Sequence, residues 1–64
     1  MEYIIVYDNH TLSGSRTYAT RCSTLEQAGE EFAKRLTRDG VFSVRLYENK
    51  VLIAKYEKEG LKNE

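Results

Sequence analysis

By residue type, His10 and Cys22 are the groups best suited to nucleophilic or metal chemistry, and the chain has one of each. A Cys–His nucleophile requires the imidazole within hydrogen-bond reach of the thiol, with a third group to orient it. The spacing supplies no such arrangement: His10 falls among turn-forming residues, and Cys22 sits where a strand-like run gives way to a helical one. Asp8-Asn9-His10 offers two ligating side chains and an amide, fewer than a structural zinc needs. One thiol cannot form an internal disulfide. Ser13-Gly14-Ser15 lacks the lysine and the following helix of a phosphate-binding loop. We therefore expect no catalytic residue, no metal site, no cofactor and no small-molecule ligand, and read the chain as a non-enzyme.

The chemistry that remains is recognition. In Tyr3-Ile4-Ile5-Val6-Tyr7, a strand would send Tyr3, Ile5 and Tyr7 to one side and Ile4 and Val6 to the other, so both faces are apolar. Tyrosine and arginine are enriched at protein interfaces, where lysine and glutamate are depleted. Tyr3, Ile5, Tyr7, Arg45 and Tyr47 are accordingly the expected binding surface, if one sheet face exposes them together.

Positioning these side chains falls to four strands and a helix. The first strand is expected from about Glu2 to Asp8, followed by a long loop of turn formers and a more polar strand from about Arg16 to Cys22. Ser23-Thr24-Leu25-Glu26 is a capping box, and Thr24 with Gln27 offers another one residue later. Beyond it Leu25, Ala28, Phe32 and Leu36 recur at helical spacing, flanked by Gly29 and Ala33, with Gly40 as the expected stop. Small residues on this stripe would let the helix lie close to a sheet. Acids lead and bases trail on the outer side, with Glu30–Lys34 and Glu31–Arg35 four apart, as on an ordinary solvated face. Residues 41–57 read as a second hairpin turning around Glu48-Asn49-Lys50. A two-residue turn at Glu48-Asn49 would set Val51 and Ile53 beside Leu46 and Val44, whereas a three-residue loop would set Leu52 and Ala54 there.

The order strand, strand, helix, strand, strand closes most simply as an α+β domain: a four-stranded antiparallel ββαββ sheet in the order 2-1-3-4, with one helix on one face. The doubly apolar first strand is then central and the polar second strand an edge. The domain spans 1–57, and the charged residues 58–64 form a fraying tail. One helix covers one face. With Ile4, Val6, Phe42, Val44 and Leu46 turned to it, Tyr3, Ile5, Tyr7, Arg45 and Tyr47 would share the open side.

Ten lysines and arginines balance ten acids, so no overall field draws the chain to nucleic acid or to an anionic membrane. No apolar run is long enough to cross a bilayer, and no basic segment precedes an apolar one, which predicts a cytoplasmic protein. The sequon Asn9-His10-Thr11 then has no glycosylating compartment. A chain of 64 residues buries only about 60% of its unfolded surface, and without disulfide or metal its remaining support is association or a well-packed small core. The expected function is a protein-interaction module acting through the open sheet face or an edge strand, on a protein partner or as a homodimer. The alternative is a small nucleic-acid-binding domain that stacks bases on tyrosines and contacts phosphates through strand arginines such as Arg16, Arg21 and Arg45. In plan, a short cysteine-poor domain with a small sheet and one helix resembles many phage-encoded inhibitors, including some anti-CRISPR proteins. That likeness transfers no residue, and it implies inhibition by occlusion.

Overall fold

The computed structural model describes residues 2–58. Its elements are β1 (Tyr3–Thr11), β2 (Gly14–Cys22), α1 (Leu25–Leu36), β3 (Val41–Glu48) and β4 (Val51–Glu57). The strands form one antiparallel sheet in the order β2-β1-β3-β4, the ββαββ arrangement expected from the sequence, with β1 inside and β2 and β4 at the edges. The helix packs on one face. Apart from Lys58, the residues expected to form a frayed tail lie outside those described.

The first hairpin turns more tightly than expected, and the second turns one residue later than its expected two-residue turn. Pairing of β1 with β2 continues to Thr11 opposite Gly14, so the anticipated long loop contracts to Leu12-Ser13. Gly14, at a φ of 139°, adopts a backbone that side chains disfavour. In the second hairpin Asn49 and Lys50 have φ of 48° and 72°, the left-handed pair of a type I′ turn, and Glu48 faces Val51 across it. The register then shifts once: Tyr47 faces Leu52, but Leu46 faces Ala54, leaving Ile53 as the extra residue of a bulge. Neither expected register holds as stated. Ala54 does lie beside Leu46, reached by a two-residue turn plus a bulge. Without that extra residue Lys55 would share a face with Leu46 and the helix; with it, Ala54 and Tyr56 do.

The helix starts at the later of its two capping boxes. Thr24 is the N-cap, its hydroxyl accepting from the Gln27 amide at 3.1 Å, while the Gln27 side chain accepts from the Ser23 amide at 3.4 Å. The helix ends at Leu36, and Gly40 instead turns the chain into β3 at a φ of 91°. The Gly40 carbonyl accepts from the His10 amide at 2.8 Å, and a Cβ on Gly40 would stand 2.6 Å from Asn9 Oδ1.

Ile5 and Val44 are wholly buried at the centre of a core completed by Tyr3, Ala28, Val41 and Leu46, with Tyr7, Cys22, Phe32, Leu36 and Ala54 packed around it. Each fully buried aliphatic side chain contributes roughly 1.5–3 kcal/mol of transfer free energy. Leu25 leaves the expected stripe and is 58% exposed, and Gly29 borders open space rather than a close neighbour. On the outer side Glu31 pairs with both Lys34 (3.5 Å) and Arg35 (3.1 Å), so Lys34 finds Glu31 where Glu30 was expected. Arg35 is no ordinary solvated cation, since its guanidinium lies 4.7 Å above the Tyr7 ring. No helix among the described residues is long and apolar enough to cross a membrane.

Candidate functional site

Residues directly opposite on neighbouring strands share a face. Ile5 stands opposite Leu46 and Tyr7 opposite Val44, which places Tyr3, Ile5 and Tyr7 under the helix with Val44 and Leu46. The expected open-face set therefore divides. Tyr3 is 5% exposed and Ile5 fully enclosed, while Arg45 and Tyr47 lie on the other side with Ile4 and Val6. The physical reason is charge. The even positions of this strand region carry Glu2, Asp8 and His10 beside Ile4 and Val6, whereas the odd positions carry Tyr3, Ile5, Tyr7, Asn9 and Thr11. Burying the odd set desolvates no charge, and burying the even set would.

The covered tyrosines keep their polar ends engaged. Tyr3 donates its hydroxyl to Glu48 Oε2 at 3.2 Å. Burial, followed by that hydrogen bond and the Glu48 charge, pushes the Tyr3 phenol above its ordinary value. Tyr7 stacks on Tyr18 of β2 with ring centres 5.3 Å apart. Cys22, opposite Tyr3, packs against the core, and burial and then Glu31 push its thiol up against the opposing pull of Arg35. A thiol so held is a poor nucleophile. His10 pairs with Ser15 at the far end of the same hairpin, so the two residues do not meet.

On the open face, Ile4 and Val6 are bordered by Tyr47, Arg45 and Leu52 on one side and by Arg21, Ala19 and Thr17 on the other. The charges here are compensated. Arg45 donates to Asp8 Oδ2 at 3.1 Å, Thr17 donates to the other Asp8 oxygen, and Arg21 lies 3.5 Å from Glu2. Phe42, expected beside Val44 and Leu46, is instead the extra residue of a bulge at Asp8/Asn9, and its ring stacks on His10 at 4.3 Å. Asp8, Phe42, Ser43, Arg45, Glu57 and Lys58 line an open pocket of about 320 Å³ that mixes two carboxylates with two cations.

The second surface is the β4 edge. Val51, Leu52, Ile53 and Tyr56 are all exposed there, Val51 at 62%. The Lys58 amide donates to the Phe42 carbonyl at 2.9 Å, which makes Val44–Tyr56 a hydrogen-bonded pair. By the antiparallel alternation, the backbone groups of Lys55 and Glu57 then point out of the sheet. The opposite edge, β2, is polar and carries Arg16 and Arg21. The uncharged run Val51-Leu52-Ile53-Ala54 announces the apolar edge in the sequence, while the bulge that ends it has no sequence signal.

The chain matches no protein-family model, no curated protein and no solved structure.

Proposed function

We propose that this protein is a small, non-enzymatic, cytosolic interaction module that binds a protein partner by strand addition along β4. The observation that carries this reading is an outermost strand with exposed Val51, Leu52, Ile53 and Tyr56 and outward backbone groups at Lys55 and Glu57. Strand addition draws affinity from main-chain hydrogen bonds and specificity from alternate side chains. Natural edges usually carry charge, proline or a bulge against such pairing; here the Ile53 bulge guards the upstream part, and downstream the edge carries Lys55 and Glu57, opposite charges that a complementary strand can match. A partner held in this way is barred from other contacts at the paired strand, so the mode of action is occlusion. The nucleic-acid alternative draws less support, because Arg45 and Arg21 are engaged with Asp8 and Glu2 and two tyrosines lie under the helix.

Capture from the native host with wild-type and Lys55→Pro protein tests this reading. The Lys55 amide points outward, so proline removes an edge donor while leaving the β3–β4 ladder intact. The expected result is loss of the captured partner with the circular dichroism spectrum retained. Undiminished capture by the folded variant would refute β4 as the docking edge.

A further inference from the structure

Strand addition at β4 leaves open which strand is added. We infer that a second copy of this chain can occupy the edge, pairing β4 with β4 antiparallel about a twofold axis at Tyr56. This inference rests on the strand-addition reading and deepens it by naming a partner.

The argument is one of register. The bulge at Ile53 interrupts the alternation of inward and outward backbone groups, so a regular ladder is available only downstream, over Ala54–Glu57 and on to Lys58. Within that stretch Lys55 and Glu57 point outward, and an added strand must place its own outward residues opposite them. A twofold at Lys55 sets lysine against lysine, and one at Glu57 sets carboxylate against carboxylate; like charges directly opposite are unfavourable. A twofold at Tyr56 sets Lys55 against Glu57 of the second copy and Glu57 against its Lys55. Both pairs exchange their backbone N–H and C=O groups and juxtapose opposite charges. Lys55 Nζ and Glu57 Oε2 already lie 4.0 Å apart within one strand, so both side chains occupy the same side of the edge. Tyr56, 37% exposed and opposite Val44 on the helix side, meets its own copy in the closer, non-hydrogen-bonded spacing that favours aromatic contact. The product is a continuous eight-stranded sheet with both helices on one face.

Sedimentation of the full chain from micromolar to millimolar concentration, combined with charge reversal, tests this pairing. Wild type is expected to show a monomer–dimer equilibrium. Lys55→Glu should weaken it about tenfold by turning two attractive pairs into repulsive ones. Lys55→Glu combined with Glu57→Lys should restore it, because opposite charges face again. A double variant as weak as the single one would overturn the register. A chain that stays monomeric throughout, yet captures a foreign protein in a Lys55-dependent way, overturns self-pairing and leaves strand addition standing. A dimer indifferent to both Lys55→Glu and Lys55→Pro overturns both.

Discussion

Replacing Gly29 by alanine adds one methyl group to the middle of α1, where the new Cβ would find no heavy atom within 4 Å. No contact is made or lost, so only intrinsic helix terms act. Glycine in a helix interior is less favourable than alanine by roughly 0.5–1 kcal/mol, chiefly through the freedom of the unfolded chain. Unfolding entropy near 2.1 cal/mol/K per residue gives about 0.13 kcal/mol/K for a chain of 64 residues. The melting midpoint should therefore rise by about 4–8 °C. Thermal unfolding followed by far-ultraviolet circular dichroism reads that shift, and urea unfolding should show a higher midpoint at unchanged slope. Gly40→Ala is the contrasting control. Its φ of 91° and a Cβ 2.6 Å from Asn9 Oδ1 should cost roughly 1–3 kcal/mol. An unchanged or lower midpoint for Gly29→Ala would refute the reasoning, since it would mean that the outer side of α1 is engaged by something the fold does not show.

Two further outcomes separate the faces of the sheet. Ile5→Val should destabilise by about 0.5–1.5 kcal/mol, and Ile4→Val by less, because Ile5 is enclosed and Ile4 only half-buried; urea midpoints compare the two. Tyr3 carries a phenol whose folded value lies above its unfolded one, so its contribution is complete below about pH 10 and declines as pH rises through the folded value. Tyr3→Phe should remove that part of the alkaline decline, as read by denaturant midpoints across an alkaline series.

Strand order, the central place of β1 and the helix start were legible because each rests on local pattern: alternation, turn residues and a capping box. The face of β1 was legible too, but through residues beyond its apolar run. Tyr3 to Tyr7 is apolar on both sides, so Glu2 and Asp8 at the ends of the expected strand distinguish the two, and His10 joins them once the strand is extended to Thr11. Choosing the face by the interface preference of tyrosine and arginine passes over that signal. It sends Tyr3, Ile5 and Tyr7 to solvent, where of the five only Arg45 and Tyr47 belong. The bulges at Phe42 and Ile53 were not legible, since each is fixed by pairing between strands and not by either strand alone.

Those two bulges set the character of the sheet. At one end of β3, the extra residue moves Val41 opposite Asn9, where it is buried beside the core, and sends Phe42 out to His10. At the other end, the extra residue keeps Lys55 and Glu57 off the helix side and hands those positions to Ala54 and Tyr56. The second insertion thus keeps two charged residues off the covered face, while the first sets the smaller Val41 there in place of Phe42, neither of which a strict alternation could do. The second insertion also acts on the edge. It shortens the stretch on which another strand can pair, and within that stretch it leaves Lys55 and Glu57 as the outward pair whose opposite charges select a register. On the strand-addition reading, protection of the β4 edge and selectivity for what it accepts share one cause, the single additional residue at Ile53.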